Sequence, residues 1–195
     1  MNKFQAYKES LLQNRSYRRF DNSHRVEPTL LTELVELTRY CASGMNKQPL
    51  RYRIVYTPQE CNLVFPLLKW AGFLKDWDGP VESERPVAYL IQCLDMNRAP
   101  TLGFCDDGLQ LQAITLGLTT LGLGGCILKS FNANELSKAL AIPEGMQPRH
   151  VLAIGYPTEH VVVDPMVDND YKYWRDKEGI HHVPKRLLDD ILIKN

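Results

Sequence analysis

The chain has 195 residues, 44% of them hydrophobic, which is enough for one sizeable core. Lys plus Arg number 23 and Asp plus Glu number 23, so the formal net charge is zero. That balance counts against a dedicated nucleic-acid binder, whose affinity rests on excess positive charge, while leaving a local basic pocket open. From the N-terminus, an amphipathic helix is predicted over 4–13, with Phe4, Tyr7, Leu11 and Leu12 on its apolar face. Pro28 starts a second helix that runs to about Cys41. A polar loop over 42–49 leads into a strand over 51–56, where polar and apolar residues alternate. The pattern over 60–74 is helical, with Pro66 as a kink or a new start. After a loop over 76–86, the apolar run 87–94 reads as a buried strand. Asp106 and Asp107 mark the start of a long helix reaching about Leu121, ended by the glycine-rich stretch 122–125. A short strand over 126–128, a helix capped by Asn132 and a strand over 150–155 follow. The remainder reads as a polar and aromatic tail over 164–178 and a short final helix. Helices and strands alternate too irregularly for clean βαβ units, and strand order is not legible.

No internal repeat, low-complexity block or linker divides the chain, so residues 1–195 read as one domain. The five cysteines are scattered without a Cys-x-x-Cys pair, as reduced thiols of a cytoplasmic protein would be. Neither a secretory leader nor a bilayer-spanning apolar run is evident, so no membrane partner is expected. The histidines lack metal-ligand spacing, and the pair His181-His182 reads as a polar loop feature, so no metal site is expected.

Four stretches can carry chemistry. Arg15-Ser16-Tyr17-Arg18 places two guanidinium groups where they can converge on one anion, although a solvated basic turn explains it as well. Ala42-Ser43-Gly44-Met45-Asn46-Lys47-Gln48-Pro49 offers carboxamides able to donate and accept, or it is an ordinary polar loop. Gly122-Leu123-Gly124-Gly125 ends a helix. A dinucleotide fingerprint would open one, so the plain reading is a helix C-cap. His182-Val183-Pro184-Lys185-Arg186 puts two cations before the last helix, where a macrodipole favours negative charge.

In this order and spread over nearly the whole chain, the four stretches resemble the nitroreductase family. Arg15-Ser16-Tyr17-Arg18-Arg19-Phe20 matches that family's Arg-Ser-x-Arg-x-Phe opening, and Ser43, Asn46, Gln48 and Pro49 match its Pro-Ser-x-x-Asn-x-Gln-Pro stretch. Ala42 stands where proline is usual, Leu50 where tryptophan is frequent, and Asn14 where a second basic residue often precedes the serine. The resemblance implies an α+β fold: a three-layer sandwich around a central, largely antiparallel mixed sheet, in an intertwined homodimer. It implies FMN at the dimer interface. The candidate cofactor-binding residues are Arg15, Ser16, Arg18, Ser43, Met45, Asn46, Gln48, Gly124, Gly125, Lys185 and Arg186. Lys185 and Arg186 would join Arg15 and Ser16 at the phosphate, Arg18 would face flavin N1 and the C2 carbonyl, and Gly124 and Gly125 would lie against the ring. The implied activity is ping-pong transfer of hydride from NADH or NADPH, through flavin N5, to a nitroaromatic or quinone, with no protein acid or base required. A dehalogenase-type relative, a flavin-binding sensor with little turnover and an anion- or nucleic-acid-binding module are the alternatives. Phe65, Trp70, Phe73 and Trp77 form either a gate over the flavin or core, and Tyr171, Tyr173 and Trp174 either wrap a partner or pack on their own chain.

Overall fold

The computed structural model describes residues 2–99 and 105–193. Helix α1 (Lys3–Gln13) is capped by Asn2, whose side-chain oxygen accepts the Gln5 N–H at 2.8 Å. A two-residue strand, β1 (Phe20–Asp21), precedes α2 (Pro28–Glu36), which begins on Pro28. The helix stops short of Cys41. Its last turn tightens into a 3-10 segment, Leu37–Tyr40, a common way to satisfy terminal carbonyls. After β2 (Leu50–Val55) comes α3 (Pro58–Val64). The helix expected over 60–74 is therefore earlier and much shorter. Thr57 caps it, its hydroxyl accepting the Glu60 N–H at 3.3 Å, and Pro66, which has no N–H to continue the ladder, ends it.

Strand β3 (Ala88–Asp95) is buried along its whole length. Helix α4 (Asp106–Thr120) then runs into β4 (Gly124–Leu128). Between them, Gly122 at φ 69° completes a Schellman cap: its N–H reaches the Thr119 carbonyl at 3.2 Å and the Leu123 N–H reaches Leu118 at 2.9 Å. Helix α5 (Ala133–Ala139), capped by Asn132, leads to the long strand β5 (Met146–Pro157). The stretch read as a tail contains β6 (Val161–Pro165), β7 (Trp174–Arg175) and β8 (His181–Lys185), before a short α6 (Leu188–Ile191).

Two sheets result. The larger has the order β1-β5-β3-β2, with β4 also paired to β5, and every pairing is antiparallel. The smaller is mixed, in the order β6-β8-β7, with β6 and β8 parallel. Alternation along the central strands feeds both faces of the larger sheet. Tyr89, Ile91, Cys93, Val151 and Ala153 pack into one cluster with residues of α3 and α5. Leu90, Leu152 and Ile154 pack into another with residues of α2 and α4. Each fully buried aliphatic side chain contributes roughly 1.5–3 kcal/mol. No helix among the described residues is long and apolar enough to cross a membrane, and no metal-ligating cluster gathers among them.

Candidate functional site

The chain leaves α1 at Asn14, whose amide donates to the Thr115 hydroxyl of α4 at 2.9 Å. It then runs beside β4: Ser16 bridges Gly125 in parallel, and the Tyr17 N–H donates to the Gly125 carbonyl at 3.1 Å. This pairing brings the first arginine stretch to the start of β4, and β8 closes the other side. Between them lies a cavity of about 360 Å³ whose walls include Arg15, Ser16, Arg18, Gly125, His181 and Lys185.

Its electrostatics are one-sided. Arg15 donates through Nη2 to the Leu11 carbonyl at 2.7 Å, and its buried Nε has no partner. Arg18 is 8% exposed. Its Nη1 meets the Ser16 carbonyl at 3.2 Å and His181 Nε2 at 3.1 Å, the guanidinium lies 4.8 Å over the Tyr173 ring, and its Nε is unpartnered. The nearby carboxylate, Glu159, is already engaged: it accepts the Arg18 backbone N–H at 2.8 Å and pairs with the Arg175 guanidinium. Among the described residues, the side chains of Arg15, Arg18 and Lys185 have no ion-paired carboxylate. Arg18 is the buried one of the three, Arg15 being half-buried and Lys185 exposed, and an anion in the cavity would offset the cost of burying its charge unpaired. Burial pushes the His181 ring down to about 4, opposed by Glu159 and assisted by Arg18. The ring is therefore neutral at pH 7, accepts the Arg18 N–H at Nε2 and keeps its proton on Nδ1, a buried donor with no partner. Reading the histidine pair as a polar loop missed this. His181 is fully buried on β8, and the only local signal was its period-2 spacing to Val183.

The other sequence candidates fall elsewhere. Gly125 lines the cavity, but the steric demand for glycine comes from the chain itself. A Cβ on Gly124 would lie 2.5 Å from the Tyr17 ring and from Pro157, and one on Gly125 would lie 2.9 Å from the Ala153 carbonyl oxygen. Arg186 does not line the cavity; it donates to Asn169 Oδ1 at 2.8 Å. Nor do Ser43, Met45, Asn46 and Gln48, which lie at the start of α4. There the buried Asp106 accepts the Gly44 N–H at 2.9 Å and the Ser43 hydroxyl at 2.5 Å, and the Ser43 oxygen accepts the Gln48 N–H at 2.9 Å. Gln48 donates to both oxygens of Asn46, at 3.2 and 3.0 Å. Met45, Asn46 and Gln48 take φ of 53°, 55° and 47°, a costly run for non-glycine residues that the Asp106 anchor sustains.

Trp70 is buried and Phe65 packs beside it with ring centroids 5.8 Å apart, so these two aromatics are core. Phe73 lies 4.9 Å from Tyr173, and Arg175 lies 4.7 Å over Trp77. Tyr173 thus packs on its own chain beneath Arg18, whereas Tyr171 and Trp174 remain exposed.

The fold is α+β, with a cavity lined by basic side chains between the start of β4 and β8. The model of the nitroreductase family matches residues 11–84, a span holding both the Arg15–Arg18 stretch and the 42–49 loop. NfrA1 of B. megaterium shares the fold at TM-score 0.68 and 19% identity, covering 88% of this chain and 74% of that one. A nitroreductase family protein of Streptococcus pneumoniae TIGR4 matches at TM-score 0.67 and 15% identity, over 97% and 100% of the two chains. One from Clostridium difficile 630 matches at 0.64 and 18%, over 99% and 98%. No curated protein matches in sequence. The resemblance to the nitroreductase family therefore stands in sequence over residues 11–84 and in fold over nearly the whole chain.

Proposed function

We propose that the protein is an FMN-dependent oxidoreductase, taking hydride from NADH or NADPH and passing it to a small organic acceptor such as a nitroaromatic or quinone in ping-pong half-reactions. One observation carries this reading: Arg15, Arg18 and Lys185, three residues expected to meet the cofactor, line a single cavity without a carboxylate partner among the described residues. In it, Arg15, Lys185 and the Ser16 hydroxyl hold the phosphate. The unpartnered Nε of Arg15 and the uncompensated charges suit a dianion. Arg18 carries fixed positive charge toward the reduced ring, and neutral His181 holds that guanidinium without cancelling it. No side chain need move a proton, since the hydride chemistry belongs to the cofactor.

The same reading takes residues 1–195 as one three-layer, cytoplasmic, FMN-binding unit, consistent with helices packed on both sheet faces and five free cysteines. It makes the protein a homodimer in which the 43–48 loop of each chain serves the cavity of the other. Two facts support this: the loop does not reach its own cavity, and α1 exposes Phe4, Tyr7 and Leu12. Purified protein should be yellow, release FMN on denaturation and bleach within seconds under NADH or NADPH without oxygen. A yellow protein that stays oxidised would replace the reductase with a flavin-binding sensor. A colourless protein that takes up no added FMN would end the cofactor reading.

A further inference from the structure

A second cavity, of about 180 Å³, lies between α3, the 3-10 segment Glu82–Glu84 and β3, and shares no wall residue with the basic cavity beside β4. Its polar end is formed by Arg85 and Tyr89. The Tyr89 side chain is fully buried and its hydroxyl has no hydrogen-bond partner. The buried Nε of Arg85 is likewise unpartnered, and its guanidinium carbon lies over the Phe65 ring, 4.1 Å from the centroid. A protein does not ordinarily bury a phenol O–H and a guanidinium Nε–H unused, because each buried donor costs about 1–3 kcal/mol when unsatisfied.

The neighbouring carboxylates are engaged elsewhere or exposed. Glu84 pairs with Arg19 at 3.3 Å, and Glu60 pairs with Arg53 and accepts from the Thr57 hydroxyl at 3.1 Å. Glu82 and Arg25 also line the cavity, both exposed, and their charges offset one another. The lining thus carries two arginines against one carboxylate, and Arg85 has no ion-paired carboxylate among the described residues. The Arg85 backbone carbonyl accepts the Asn22 amide at 3.0 Å, and its guanidinium rests against the Phe65 ring. Of the remaining walls, Pro58, Phe65 and Pro86 are apolar, and Asn22, Asn62 and Cys61 complete the lining. The volume holds about six waters at bulk density or one small organic acid.

We propose that this cavity binds a small monocarboxylate, its oxygens on the Arg85 guanidinium and the Tyr89 hydroxyl and its apolar end against Phe65, Pro58 and Pro86. A single negative charge matches the excess of one cation in the lining, and Pro58, Phe65 and Pro86 disfavour a fully hydrated dianion. Burial pushes the Tyr89 phenol well above its ordinary range, so it stays a donor at any physiological pH. The site lies apart from the proposed flavin position, so occupancy of one does not exclude the other.

The test is calorimetric titration of sodium benzoate, and separately of sodium phosphate, into the purified protein at fixed ionic strength, with and without saturating FMN. Benzoate should bind with one site per chain and with the same affinity whether or not FMN is present. Arg85→Gln and Tyr89→Phe should each weaken it about tenfold. Tyr89→Phe keeps the ring and removes only an unpaired hydroxyl, so it tests the site even if Arg85→Gln folds poorly. Phosphate should bind at least about tenfold more weakly than benzoate. The proposal is overturned by absence of benzoate binding in the millimolar range, by binding that Tyr89→Phe leaves unchanged, or by competition with FMN, which would place the anion in the other cavity. Phosphate binding as tight as benzoate would overturn the monocarboxylate assignment.

Discussion

Arg18 is a buried cation whose neighbours, a carbonyl, a neutral imidazole and a phenol ring, stabilise its charge without neutralising it. That arrangement keeps a full positive charge available to the cavity in a medium less polarisable than water. Replacing Arg18 with Leu should lower the reduction potential of bound FMN by roughly 30–60 mV, the two-electron equivalent of losing one charged hydrogen bond. Redox titration checks this, and an unchanged potential would move Arg18 out of the electrostatic role. Gly125 makes a different kind of contribution. A methyl there must displace a backbone carbonyl, so Gly125→Ala should cost about 1–3 kcal/mol in FMN-free protein, read as a lower urea midpoint. Both arginines and both glycines were visible as chemistry-bearing residues in the sequence. His181 was not, because its burial depends on β8 lying against Arg18 from 163 positions away. Nothing in the neighbouring residues encodes that.

At the scale of elements, the 43–48 loop owes its shape to the first turn of α4. Asp106 accepts from both Ser43 and Gly44, satisfying a buried carboxylate at a helix start, where the macrodipole also favours it. Ser43→Ala should release the Gln48 amide and raise hydrogen exchange across 43–48 while leaving β5 protected. Equal exchange in both proteins would show that the hydroxyl does not hold the loop. The small sheet carries a pH-dependent clasp. His182 on β8 reaches Asp164 of β6 at 2.9 Å and Asp176 at 3.3 Å, and stacks 4.8 Å from the Trp174 ring of β7. The Asp164 hydrogen bond, followed by that to Asp176, raises its pKa above the ordinary 6.5. A raised folded-state value means the stabilisation is fully present below pH 6.5 and is lost as pH rises through the folded value. His181 works the other way: its value is depressed to about 4, so the fold loses stability as pH falls below 6.5 toward that value. Unfolding midpoints between pH 6 and 9 should therefore decline more in the native protein than in His182→Gln, and parallel curves would rule the clasp out. This sheet escaped the sequence reading because β6 and β8 are parallel and joined by a long connection. Only hairpins announce themselves through turn residues.

For the whole molecule, the proposed dimer accounts for apolar side chains that a lone chain leaves in water. Besides those on α1, Leu109 on α4 is 46% exposed and Ile191 on α6 is 65% exposed. Sedimentation should show a dimer, and Leu109→Lys together with Ile191→Asp should shift it toward monomer and lose FMN in parallel. A monomeric double variant that keeps FMN would mean that one chain completes the site alone.

Composition, caps and periodicity were enough to place α1, α5, the start of α2 and the central strands β2, β3 and β5, since caps and alternation act over a few residues. Arg15, Ser16, Arg18 and Lys185 were singled out through the resemblance to the nitroreductase family, since on spacing alone a solvated basic turn explained them as well, and the fold brings all four to one cavity. Tertiary structure alone decided that Lys185, the last residue of β8, lines the cavity while Arg186, just past the strand, turns to Asn169. It alone decided that Phe65 and Trp70 are core and that Glu159 is spent on Arg175, because burial and pairing depend on contacts between segments far apart in the chain.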